Sequence, residues 1–233
     1  MPPQRPFAQD AAMRDETVIL IHGVWMRAFS LLLLRRRLRE AGFRTELFDY
    51  ASVFGRDERS LERLGQCIRA QPASRVHLVG HSLGGLVALR ALERLPVALN
   101  GRVVCLGSPL NGSAVAQRLT RRDGRAQLLG CSADILCRGL PDRTPSAEVG
   151  VIAGTRAVGL GQLLGAFDGP NDGTVSVAET RWSGAAGHCE VYVSHTGLTF
   201  STNAATLAAR FLRCGSFTEP AVERPIKLAA RAQ

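Results

Sequence analysis

Along the chain, short apolar runs rich in β-branched residues alternate with longer stretches whose leucines recur at helical spacing. Thr17–Ile21 is a continuous apolar run ended by His22-Gly23 and predicts a buried strand. Ala28–Ala41 sorts leucines and arginines onto different faces and stops at Gly42, which predicts a helix. The alternation continues with a strand at Arg44–Phe48, a helix at Glu58–Ala70 broken by Pro72, and a strand at Arg75–Val79. A helix at Leu83–Leu95, closed by Pro96, and a strand at Arg102–Leu106 follow. Val149–Ala153 and Cys189–Ser194 read as two more strands, and Thr202–Arg213 as a closing helix ended by Gly215. Strand–helix alternation of this kind predicts an α/β fold: a mostly parallel sheet of about six strands with helices on both faces.

A chain of 233 residues is the size of one such domain. Expected boundaries are an N-terminal tail at 1–16, the domain at 17–217 and a C-terminal tail at 218–233. Within the domain, 110–148 is polar and poorly periodic, a short lid-like insertion expected to carry short helices over the site. Apolar residues form 45% of the chain and charged ones 21%, enough to close a core, and no apolar run nears the roughly 20 residues of a membrane span. The first sixteen residues carry Pro2, Pro3, Pro6, Asp10, Asp15 and Glu16 where a secretory h-region would lie, so a cytoplasmic location is expected.

Charge changes the picture only slightly. There are 29 basic and 20 acidic residues, net +9, and Lys227 is the single lysine. The arginines are spread over many segments without an aromatic platform, so no nucleic-acid partner is expected; a weak contact with anionic membrane surfaces stays open. Six cysteines, Cys67, Cys105, Cys131, Cys137, Cys189 and Cys214, lack C-x-x-C spacing, so neither zinc nor dithiol chemistry is expected.

The chemistry concentrates at Gly80-His81-Ser82-Leu83-Gly84, a G-x-S-x-G pattern between a predicted strand and a predicted helix. Such a corner needs small residues on both sides of its nucleophile, lifts the Ser82 hydroxyl above the sheet, and turns the Leu83 N–H toward a developing oxyanion. His22-Gly23-Val24-Trp25 follows the first strand and offers the Val24 N–H as second donor, with Trp25 a candidate lining for an acyl group and His22 a loop-fixing residue. A hydroxyl needs a base and the base an orienting carboxylate. Among five histidines, His77 lies inside a strand, His81 points away from Ser82 at the turn, and His188 precedes its strand by the expected boundaries. His195 follows the last strand, on the same sheet edge as Ser82, and is the expected base. For the acid, Asp172 in Asp172-Gly173-Thr174-Val175 ranks ahead of Asp168, itself in an Asp-Gly pair that leaves the choice unforced; Glu179 is third.

Together with Gly107-Ser108-Pro109-Leu110-Asn111-Gly112-Ser113 and Ser194-His195-Thr196-Gly197, these segments resemble the α/β-hydrolase superfamily, and within it the small bacterial lipase/esterase branch. The resemblance spans about Thr17 to Phe217. It implies Ser82, Asp172 and His195 as a catalytic triad, Val24 and Leu83 as oxyanion donors, no cofactor, no metal, and a small-molecule or lipid ester as substrate. Ser108 and Leu110 depart from the Gly-Thr-Pro-His-x-Gly stretch of bacterial lipases, the lid is short, and the first strands of larger members are missing. The expected activity is serine-dependent cleavage of carboxylic esters through an acyl-enzyme. Acyl transfer or lipid-remodelling deacylation on the same triad, and a catalytically silent binding protein, are the alternatives.

Overall fold

The computed structural model describes residues 15–54, 57–95, 99–121, 126–159, 167 and 169–218. Most of both expected tails, Pro96 and Asp168 lie outside these described residues. β1 (Glu16–Ile21) leads through a 3-10 turn (Ala28–Leu31) into α1 (Leu32–Glu40), β2 (Arg44–Phe48) into α2 (Asp57–Arg69), and β3 (Arg75–His81) into α3 (Leu83–Arg94). After β4 (Val103–Leu106) comes a cap segment with α4 (Ala114–Arg121), two 3-10 turns and α5 (Ala133–Arg138). β5 (Val149–Gly154), α6 (Val177–Thr180), β6 (Gly187–Val191), α7 (Gly197–Phe200) and α8 (Thr202–Cys214) complete the order.

The six strands pair in parallel in the order β2-β1-β3-β4-β5-β6. From β1 the chain steps outward to β2, then crosses back to add β3 and the rest on the other side. The carboxyl ends of β1 and β3 therefore lie side by side where the winding reverses, the place at which open α/β sheets put their ligands. Register fixes the neighbours there: Ile21 pairs with Gly80.

Both faces of the sheet are covered, which explains why the four inner strands β1, β3, β4 and β5 are almost wholly buried and mostly apolar, while the edge strands β2 and β6 alternate with polar residues. Ile19, Ile21, Leu78, Val103 and Val151 pack toward α2, α3 and the cap segment. Their alternates, Val18, Leu20, Val79, Val104 and Ile152, pack toward α1 and α8. Gly150 is part of this fit: a Cβ there would stand 2.7–2.8 Å from three ring carbons of Phe211, a fully buried side chain of α8. Gly215 ends α8 with φ 71°, the left-handed cap that glycine takes without strain.

Most boundaries shift by a residue and the last strand ends at Val191 rather than Ser194; three of the differences have a visible physical reason. The Ala28–Ala41 helix begins as a 3-10 turn because Asp49 Oδ1 accepts the Ala28 N–H and the Ser30 N–H closes on Arg27, tightening the entry. β3 runs past Val79 to His81, since Gly80 and His81 still pair with Cys105 and Leu106. β6 begins at Gly187, opposite Gly150, so His188 lies within the strand rather than before it.

Candidate active site

Ser82 occupies the corner between β3 and α3 with φ 54° and ψ −121°. A side chain at Gly80 would strike the Gly84–Gly85 backbone, and one at Gly84 would strike the Ile21 carbonyl. The glycines thus allow α3 to press its first turn against the ends of β1 and β3. Ser82 N–H donates to the Leu106 carbonyl at 2.8 Å, tying the corner to β4 as well. A serine held at this φ costs about 1–3 kcal/mol, and dense packing on three sides maintains it.

Two loops further along the sheet edge, Asp172 and His195 meet. His195 Nδ1 lies 2.7 Å from Asp172 Oδ2, and the other carboxylate oxygen accepts N–H groups from Thr174 at 2.9 Å and Val175 at 2.7 Å. The local sequence dictates that turn: Gly173 takes φ 93°, and Asn171 Oδ1 accepts its N–H. The His195 backbone N–H also donates to the Asp172 backbone carbonyl at 2.9 Å, so the two residues are joined through both backbone and side chain. Asp172 is 1% exposed, a buried carboxylate with every oxygen occupied.

His81 links this pair to the elbow. Its ring lies 4.8 Å from that of His195, and its Nε2 is 3.0 Å from the His195 carbonyl, which makes Nε2 the protonated nitrogen. Burial, then the neighbouring His195 ring, push His81 down to about 3, so it stays neutral. Gly107, with φ 55°, passes beneath the pair: a Cβ there would meet Leu198 Cδ1 at 2.7 Å, Asp172 Oδ2 at 3.1 Å and His195 Nδ1 at 3.2 Å. Among the described residues the Ser82 hydroxyl makes no hydrogen bond, with His195 or any other group.

The loop after β1 is held from behind. His22 is fully buried and its pKa is lowered, mainly by burial. Nε2 faces the Tyr50 N–H at 3.3 Å, which assigns the proton to Nδ1 and makes it a donor to the Gly23 carbonyl at 2.9 Å. Met26 N–H binds the same carbonyl at 3.3 Å. In a trans peptide the N–H points opposite to the C=O, so anchoring the Gly23 carbonyl turns the Val24 N–H outward. Gly23 also faces Ser82, with a built Cβ 3.1 Å from that of Ser82. Neither the Val24 nor the Leu83 N–H has an acceptor among the described residues.

The model of the Alpha/beta hydrolase family matches residues 18–224. The chain belongs to that family. Similar solved structures include the metagenomic carboxyl esterase MGS0156, with 18% identity, TM-score 0.59, and coverage of 78% of this chain and 65% of that one. The Bacillus licheniformis lipase BlEst2 in its propeptide form has the same identity and TM-score, with coverage of 78% here and 47% there. The Legionella pneumophila phospholipase PlaB in complex with thio-NAD is 20% identical with TM-score 0.55, covering 71% of this chain and 44% of that one. The chain therefore spans about two-thirds to under half the length of these proteins, and at such identities the likeness concerns the fold. No curated protein matches the sequence.

In this alpha/beta hydrolase Glu179, His188 and His77 have other partners than the Asp172–His195 pair. Glu179 caps α6 with Ser176 and accepts the Ala114 N–H, a half-buried structural carboxyl whose pKa desolvation raises. His188 Nε2 is 2.9 Å from Thr180 Oγ1, and His77 Nδ1 accepts the Arg102 N–H, both framework contacts. Trp25 is half exposed, with φ 58°; its N–H donates to Ser52 Oγ and its indole N–H to the Leu128 carbonyl of the cap segment at 2.7 Å. Asp49, Ser52 and Leu128 support the site without any sequence motif that announces them; their partners lie 21, 27 and 103 positions away along the chain. All six cysteines are free.

Proposed function

We propose that this alpha/beta hydrolase is a serine hydrolase that cleaves carboxylic esters through an acyl-enzyme. The observation that carries the reading is the 2.7 Å Asp172–His195 contact on the sheet edge that also carries Ser82, a serine held at positive φ in a glycine-flanked corner. Ser82 Oγ attacks the ester carbonyl while His195 Nε2 takes its proton. Asp172 accepts the Nδ1–H and keeps the ring in the tautomer that leaves Nε2 basic. The tetrahedral oxyanion is held by the Val24 and Leu83 N–H groups, which are already oriented and unspent. His195 then returns the proton to the leaving alcohol oxygen, and water repeats the cycle on the acyl-enzyme. The hydroxyl–imidazole hydrogen bond, which the described residues do not make, forms as substrate binds and excludes water.

The carboxyl esterase and lipase likenesses favour a small-molecule or lipid ester as substrate, with Trp25 at the mouth of the site. A fluorophosphonate probe with mass mapping, alongside p-nitrophenyl esters of increasing chain length, tests the reading. The expected result is a single adduct on Ser82 and ester turnover that Ser82→Ala abolishes while the folded spectrum is kept. An unlabelled Ser82 in folded protein would refute it.

A further inference from the structure

The large apolar side chains left exposed among the described residues all lie on segments that leave the carboxyl ends of strands. Segments entering strands at the opposite edge, such as 41–43, 70–74 and 181–186, expose none among the described residues. Trp25 and Leu128 are joined by the indole–carbonyl bond, and Phe54 follows Val53, whose carbonyl accepts the Cys131 N–H of the same cap segment. Phe29 and Leu32 stand at the entry to α1, and Arg37 on that helix donates to the Phe200 carbonyl, bringing the α7 corner alongside. Beyond β5 and β6, Val158 and Tyr192 extend the apolar edge, near exposed Arg156, whose N–H bonds the Val193 carbonyl.

Chance exposure scatters apolar groups singly; here they gather on the edge that carries Ser82. The most prominent are aromatic: Phe54 is 95% exposed, Tyr192 79% and Phe29 70%. The chain's charge is +9, carried by 28 arginines and one lysine, and two exposed arginines, Arg27 after β1 and Arg156 after β5, stand on this edge, which favours an anionic surface over a neutral one. No helix among the described residues is long and apolar enough to cross a membrane, so contact through these loops would be superficial. We propose that this edge docks on anionic phospholipid bilayers, aromatic side chains in the headgroup layer, with the Ser82 corner facing the lipid. Vesicle binding is read without turnover, so its failure leaves the hydrolase reading standing and the reverse also holds.

The test is co-sedimentation of the full chain with phosphatidylcholine vesicles and with vesicles holding about one part in three phosphatidylglycerol. Wild-type protein should pellet with the anionic vesicles, release as salt rises, and remain in solution with the neutral ones. The combined Phe29→Ser, Phe54→Ser and Tyr192→Ser variant, folded by circular dichroism, should partition about two orders of magnitude less. Hydrolysis of a short soluble ester should be unchanged in it. Equal pelleting with neutral vesicles, no pelleting with anionic ones, or undiminished pelleting of the triple variant overturns the proposal. So does a wild-type dimer that the triple variant loses without vesicle binding, which would assign the edge to a second copy.

Discussion

Acidification from pH 7.5 to 5 should remove about 4 kcal/mol of folding stability through His77 and His81 alone. Both are buried in the sheet and pushed down to about 3 from an ordinary 6.5: His77 by burial, then by Arg75 and Arg102, and His81 by burial and His195. Below pH 6.5 the unfolded chain binds protons at these positions that the native state refuses until about pH 3. The unfolded state binds more protons across that window, so stability rises with pH, is fully present above 6.5, and is lost as pH falls. At pH 5 each histidine lies 1.5 pH units below its unfolded value, about 2 kcal/mol apiece at 1.36 kcal/mol per unit. Against a usual total of about 5–15 kcal/mol, that is a large share. His22 and His188, also lowered mainly by burial, act in the same direction. Asp15 is held low chiefly by Ser74, and Asp49 by the Ala28 N–H and Arg27 against the cost of burial, so both carboxylates act only below their ordinary 3.8, outside the window. Urea unfolding followed by circular dichroism at pH 7.5, 6 and 5 measures the slope. His77→Asn, whose amide oxygen can still accept the Arg102 N–H, should flatten the pH dependence by about 2 kcal/mol over this range. A wild-type loss under about 1 kcal/mol, or an unaltered slope in the variant, would refute the assignment of these protons.

Asp172→Asn should lower ester turnover by about 10³–10⁴-fold with little change in KM, and Asp168→Asn far less; steady-state kinetics on a p-nitrophenyl ester reads the difference, and a dead Asp168 variant would move the acid. Gly107→Ala should cost about 1–2 kcal/mol from its positive φ, and its methyl should shift the imidazole enough to cut kcat by about 10²-fold, seen as lost turnover in still-folded protein. Phe211→Ala should destabilise by about 3–5 kcal/mol in urea melts; the added Gly150→Ala, whose methyl points into the space vacated, should recover part of that loss.

The inner strands were plain in the sequence because both-face burial leaves β1, β3, β4 and β5 mostly apolar; the more polar edge strands β2 and β6 were legible only from their place in the strand–helix alternation. Ser82 was legible for a related reason: strained corners admit glycine alone at their flanks. The ambiguous parts were those where one backbone unit serves two neighbours. Gly80 reads as a turn residue although it pairs with Cys105, and His188 reads as a preface to a strand it helps to form. Asp172 could be preferred to Asp168 only on turn chemistry; the structure adds the two N–H donors and the buried imidazole, while Asp168 lies outside the described residues. Gly107 was visible as part of a motif but not its contact with Asp172 and His195, and the Asp49–Ser52 support of the β1 loop was invisible. Their meaning resides in what lies across the fold, and local spacing carries no trace of it.

The backbone angle at Ser82 sets the side chain most exposed to chemical demand against durability. Glycine would adopt φ 54° without penalty, so Ser82→Gly should yield a sturdier and inert molecule. A breeding scheme that rewards heat tolerance alone would drift toward discarding the hydroxyl, and only a screen that also scores turnover would retain it.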